Sequence, residues 1–115
     1  MNRDRARLLE ILDAIERIDR YASRGREVFY GDELIHTFML YRIGSIGESV
    51  KGLSTPFRAR HPDVGWKQIA GMRDLVNHRY FDVDLDVVWA TVERDIPALR
   101  AAVTRILATD PDVRE

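Results

Sequence analysis

The segment Arg73-Asp74-Leu75-Val76-Asn77-His78-Arg79-Tyr80 gathers side chains of the kinds that reactions use. Arg73 supplies a fixed positive charge, His78 a group that titrates near neutral pH, and Tyr80 a phenol. Arginine beside histidine suits a phosphodiester. The guanidinium can grip phosphate through two parallel hydrogen bonds and stabilise charge that grows in the transition state. The imidazole can move a proton at neutral pH. In RNA the 2′-hydroxyl is already a nucleophile, so this chemistry needs no metal. The same residues also admit a plainer account, in which Arg73 pairs with Asp74 at the surface and His78 caps a helix end.

Geometry bears on the choice. At 100° per residue, Arg73 and Asn77 share a helical face. Tyr80 would fall about 20° from Arg73 on a continued helix, whereas His78 would fall about 140° away. Arg73 and His78 therefore converge only if the helix ends near Asn77 or if a second copy supplies the partner. Two such clusters could meet across a two-fold axis, as an isologous interface requires.

The elements that must hold this cluster all read as helices. Leu8, Ile11, Leu12, Ile15 and Ile18 recur at steps of three and four, which predicts a helix from Asp4 to Ala22. Gly25 is placed to take a left-handed cap after it. Asp32 reads as the N-cap of a second helix, apolar nearly all round between Leu34 and Leu53. Such a helix is buried on two sides. In a chain this small, one side is expected to face a second copy, with Met39 as an example of an interface position. Gly44 and Gly47 mark either a close approach of another helix or a bend. A connector from Phe57 to His61 follows, with room for one helical turn. A third stripe runs from Gly65 to Asn77, and a fourth helix begins at Leu85 after the capping acids Asp82 and Asp84. Pro97 falls inside the next pattern, so a kink or break near Asp95 is expected, with Asp95 capping a fifth segment. The expected fold is all-α, an antiparallel bundle of four to five helices in one domain over 1–115. Its core spans about 4–108, and a polar tail over 109–115 is expected to fray.

Composition narrows the functions. Net charge is −1, from 18 basic and 19 acidic residues, which argues against a protein that coats nucleic acid non-specifically. Charge is uneven, however. Arg58, Arg60, Lys67, Arg73 and Arg79 face only Asp63 and Asp74 within 58–79, and the next stretch, 82–95, carries five acids against one arginine. A local basic site is therefore compatible with the neutral total. Cysteine is absent, which removes disulfides and thiolate metal sites. No run approaches the roughly 18 apolar residues of a membrane span, and the N-terminal residues lack the apolar stretch of a signal peptide. A cytoplasmic location, no membrane contact and no cofactor are expected.

Other polar residues read as structural. His36 sits on the apolar second helix as a packed or interface histidine, and His61 precedes Pro62 in a solvated connector. No metal-site spacing stands out. Asp82, Asp84 and Asp86 alternate like calcium ligands but lack the glycine and glutamate of such a loop. Trp66 and Trp89 read as core anchors.

Arg73-x4-His78-x-Tyr80, with polar Asp74 after the arginine, resembles the signature of the HEPN superfamily, and specifically of HepT-type toxins. Ile46-Gly47-Glu48, Trp66 to Asp74, Tyr80-Phe81, Val87-Val88-Trp89 and Asp95 to Leu99 resemble that family in the same order. The likeness covers the chain from about Arg5 to Leu107. Asp74 stands where asparagine is common. The resemblance implies a HEPN-like helical homodimer, or a higher even oligomer, with two motifs forming one cleft. It implies a metal-independent endoribonuclease that acts on RNA as the toxin of a HepT/MntA-type toxin–antitoxin pair. Its partner would be a nucleotidyltransferase antitoxin that attaches AMP to the motif tyrosine. Carried onto this chain, Arg73 and His78 are catalytic, Tyr80 is the modified residue, and Asp74 and Asn77 are supporting. Glu48 either orients Arg73 or joins a salt bridge in the dimer. Two other readings stand beside this one. The chain could be a non-catalytic nucleotide- or substrate-binding module that docks a nucleotidyltransferase, or a dimeric interaction protein with a vestigial site.

Overall fold

The computed structural model describes residues 2–74 and 83–114, and every regular element among them is helical. Helix α1 spans Arg3–Ala22, α2 Arg26–Gly31, α3 Glu33–Lys51, α4 Thr55–Arg60 and α5 Trp66–Ala70. After Asp84 come α6, Leu85–Ala90, a wide π-turn over Thr91–Asp95, and α7, Ile96–Thr109.

Helix α1 buries the expected stripe, with Leu8, Ile11, Ile15 and Ile18 all fully buried. It lies along α3 and α7. The hydrogen bonds set its direction. Ser49 Oγ donates to Glu10, and the Ser54 amide and hydroxyl both donate to Asp4 at 2.7 Å. Early residues of α1 thus meet late residues of α3, so the two run antiparallel. An ion pair from Asp19 to Arg100 and a bond from Arg5 to the Val113 carbonyl show the same sense for α1 and α7.

Asp32 caps α3 as its sequence position predicts, accepting from the Leu34 and Ile35 amides. The burial of α3 is more lopsided than its composition suggests. Met39, Ile43, Ile46 and Val50 are fully buried within this one chain, while Leu34 and Tyr41 remain exposed at 83% and 60%. Met39 is therefore a core residue and not an interface position, which corrects the expectation placed on it. Fully burying a methionine stabilises by about 1.5–3 kcal/mol, so a charge at Met39 would unfold the chain before it informed on association.

Three local departures have physical causes. Gly25 has φ +98 and ψ 167, a region that only glycine enters readily, and not the left-handed helical cap. It redirects the chain into α2, whose Phe29 is fully buried against Trp89. The third stripe does not form one helix. Helix α5 stops at Gly71, and a turn follows before Arg73 and Asp74, which are themselves helical. Near Pro97 the chain neither breaks nor caps. Asp95 is itself helical, makes no capping bond, and the Ile96 amide donates to the Thr91 carbonyl five residues back. Proline removes one donor, and its ring crowds the carbonyl four residues earlier. A π-turn relieves both. It also suits the apolar pattern, because Val88, Val92 and Ile96 are spaced by fours, which overshoots 3.6 residues per turn. The wider turn lets all three stay buried.

The segment over 109–115 does not fray as expected, up to its last described residue. Asp110 is buried, Val113 is 1% exposed, and Asn2 donates to the Asp112 carbonyl. Asp110 accepts from His61 Nε2 at 2.6 Å and from Arg60 at 3.1 Å. A carboxylate can only accept, so His61 carries its proton on Nε2. His61 is thus a clasp residue with an 18% exposed side chain and not a solvated one. Burial pushes the Asp110 carboxyl upward. The bonds from His61, the Asp112 amide and Arg60 outweigh it and hold the carboxyl down at about 2.

Candidate functional site

Arg73 is the one member of the expected catalytic pair that lies within the described residues. Asn77, His78 and Tyr80 fall outside them. The backbone of Arg73 is delivered by the turn after α5, where the Met72 amide donates to Ile69 O and the Asp74 amide to Gly71 O, both at 3.0 Å. Trp66 and Ile69 anchor α5 in the core, and Trp66 Nε1 donates to the His61 carbonyl at 2.9 Å. The turn therefore projects from a fixed base. Trp66 and Trp89 are both buried, as anchors should be. His36 is half-buried, with Nδ1 donating to the Phe29 carbonyl at 2.9 Å.

Helix α3 receives the turn. Arg73 Nε lies 2.9 Å from Glu48 Oε2 within the same chain. Glu48 thus pairs with Arg73 within one chain. Both side chains remain accessible, at 43% for Arg73 and 60% for Glu48. Two half-exposed charges gain little net stability from pairing. What the pair supplies is a preferred direction for the guanidinium. Asp74 is exposed beside it.

Gly47 shows why the approach is close enough. A Cβ built on it would lie 2.8 Å from the Arg73 amide nitrogen and 3.0 Å from the Ala70 carbonyl oxygen. Of the two meanings open for this glycine, close approach is the one observed. Gly44 is also buried.

A groove of about 590 Å³ adjoins the turn on its other side. Among the described residues its walls include Gln68, Ile69 and Met72 from the α5 side, and Thr91, Asp95 and Leu99 from the π-turn and α7. Sequence reading did not single out this groove. Its walls come from segments far apart in the chain, and only the irregularity at Pro97 hinted at one of them. Asp84 caps α6 through the Asp86 amide, so that acid serves the helix. Asp86 accepts from the Tyr30 hydroxyl, and with desolvation and the neighbouring carboxylates this holds the Tyr30 phenol above its usual value. Among the described residues, no three histidine, aspartate or glutamate side chains converge as metal ligands. No helix of the described chain is long and apolar enough to cross a membrane.

The site is thus an arginine on an all-helical frame, directed by a glutamate and open to solvent. The family described as "Ribonuclease HepT-like" matches residues 11–106, and this chain belongs to that HepT-like family. The "Probable ribonuclease HepT" of Thermococcus cleftensis is 36% identical over 103 residues, covering 86% of this chain and 91% of its own length. "Putative RNase TTE0752" of Caldanaerobacter subterraneus subsp. tengcongensis is 39% identical over 90 residues, covering 78% and 80%. "Gamma-glutamylcyclotransferase and putative RNase MJ0434" of Methanocaldococcus jannaschii is 35% identical over 101 residues, or 87% of this chain. The match takes in 46% of that longer protein, so this chain corresponds to about half of it. No solved structure gives a significant match.

Proposed function

We propose that this protein is a HepT-type endoribonuclease that cleaves RNA without a metal. The observation that carries the reading is Arg73, half-exposed and directed by Glu48, in a chain of the Ribonuclease HepT-like family. In the proposed reaction the 2′-oxygen of a nucleotide attacks the adjacent phosphorus and the bond to the 5′-oxygen breaks. His78 accepts the 2′-hydroxyl proton as general base, and a proton returns to the leaving 5′-oxygen. Arg73 holds the phosphate and stabilises the charge on its equatorial oxygens. The products are a 2′,3′-cyclic phosphate and a 5′-hydroxyl. Asp74 and Asn77 are supporting residues in this scheme.

The active form proposed is a homodimer in which two motifs share a cleft. The exposed Leu34 and Tyr41 on α3 support this, as does Arg42 between the Phe38 and Tyr41 rings, whose buried Nε has no hydrogen-bond partner among the described residues. Incubating the pure protein with RNA in EDTA tests the central claim. Wild type should release cyclic-phosphate ends, and Arg73→Ala and His78→Ala should each lose roughly 10²–10⁴ in rate. Light scattering on the same samples should give twice the monomer mass. Equal cleavage by both variants at wild-type stability would remove the site, and a monomer would remove the shared cleft.

The biological role proposed is that of a toxin, neutralised when a partner nucleotidyltransferase attaches AMP to Tyr80. That group would bring negative charge to the place where RNA phosphate must bind, and could occupy Arg73 itself. Tyr80→Phe keeps the ring and loses the attachment oxygen. It should fold, gain no mass with the transferase and ATP, and escape neutralisation. Equal labelling of that variant would move the modification elsewhere.

A further inference from the structure

We infer that Gly47, which never reaches substrate, is a positioning residue for Arg73. The inference rests on the reading of Arg73 as the phosphate-holding group. The facts behind it are steric. A Cβ at position 47 would sit 2.8 Å from the Arg73 amide nitrogen, 3.0 Å from the Ala70 carbonyl oxygen and 3.2 Å from the Arg73 Cβ. The first two neighbours are backbone, which cannot swing aside as the end of a flexible side chain can. The segment that carries them is anchored on its N-terminal side and braced within the turn. Ile69 is packed in the core, and the turn closes on its own amide bonds from Met72 and Asp74. Any methyl at position 47 must therefore push the whole turn off α3.

Glu48 belongs to α3 and would not follow that movement. It is the next residue along the helix, and its carboxylate meets Arg73 Nε at 2.9 Å. Gly47 and Glu48 thus form a two-part seat, in which the missing side chain sets the depth of Arg73 and the carboxylate sets its direction. A reacting group displaced by about 1 Å can lose on the order of 10²-fold in rate. The same substitution in an unobstructed helix would be favourable, because alanine has the higher helix propensity. Propensity and steric seating thus predict opposite signs.

The test uses Gly47→Ala in the full chain. A core variant on α1, Ile18→Val, serves as a control for lost stability, and Glu48→Gln serves as a reference for an Arg73 without its anionic partner. Two readouts are needed, RNA cleavage in EDTA and the ¹⁵N-detected signal of the Arg73 Nε–H group, assigned by its loss in Arg73→Lys. We expect Gly47→Ala to keep its helical content and have a lower thermal midpoint. Its Arg73 signal should shift toward that of Glu48→Gln, and it should cleave about 10–100-fold more slowly with KM little changed. Ile18→Val should keep both the signal and the rate. If Gly47→Ala shows the wild-type Arg73 signal, or cleaves as well as Ile18→Val, the inference is overturned. A variant that stays unfolded even in a stabilising osmolyte would also overturn it, since Gly47 would then serve packing alone. Should wild type itself fail to cleave RNA, the ribonuclease reading falls, while the Arg73 signal still decides whether Gly47 seats the arginine.

Discussion

Two arginine–carboxylate contacts in this molecule differ sharply in burial. At one, Arg60 and His61 close on Asp110, whose side chain is 6% exposed. At the other, Arg73 meets Glu48, whose side chain is 60% exposed. The first carboxylate accepts several hydrogen bonds away from water, and its carboxyl is held at about 2. The second is seen to pair with Arg73, in solvent. A buried carboxylate with many donors is costly to disturb and therefore fixes structure. A solvated pair is cheap to exchange, so a phosphate can take its place on the guanidinium. The contrast sets a structural clasp apart from the pair to which the proposed function gives the phosphate.

The sharpest break of this comparison is to remove each carboxylate in turn. Asp110→Ala takes from His61 and the more exposed Arg60 the buried carboxylate that they share, and should cost about 1.5–3 kcal/mol in chemical denaturation. It should leave cleavage by the remaining folded protein nearly unchanged. An Asp110→Ala protein as stable as wild type would make the clasp ornamental.

The next effect is one of pH. The folded Asp110 carboxyl lies below its unfolded value, so its stabilisation is fully present above pH 4 and is lost as pH falls from there through about 2. The loss amounts to about 2 kcal/mol by linkage. Thermal midpoints measured between pH 5 and 2 should fall more steeply for wild type than for Asp110→Asn. Parallel curves would show that another carboxyl governs the acid limb.

The smallest expected effect is at Glu48. Glu48→Gln should change stability by less than about 1 kcal/mol, because the pair is solvated and screened. Its consequence belongs in catalysis, as a slower rate with the fold intact. A loss of stability as large as that of Asp110→Ala would erase the distinction between the two contacts.

Their legibility in sequence also differs, for physical reasons. Arg73 stood out because arginine, histidine and tyrosine fell within eight residues, and Glu48 because Ile46-Gly47-Glu48 resembles the family's pattern. The long helices were legible from periodicity, and the start of α3 from Asp32. Helix α2 was not, since six residues are too few to display a period. The clasp was hidden as well. Thr109-Asp110-Pro111-Asp112 has the composition of a loose tail, and nothing local shows that His61 and Arg60 lie across from it. Pro97 announced an irregularity at the right place, but not that the helix would widen there instead of ending.

That widened turn gives the C-terminal half of the chain a tolerance for miscounting. An extra residue in a helix normally rotates everything beyond it by about 100°. A bulge absorbs the surplus locally, so Leu99, Val103 and Ile106 keep facing α1. Loss of one residue within Thr91–Asp95 could then be met by tightening to an ordinary α-turn. Loss of one residue beyond Leu99 would have no slack to draw on and would roll Val103 and Ile106 toward water. The helix thus carries its own register adjuster, placed between the groove and the core.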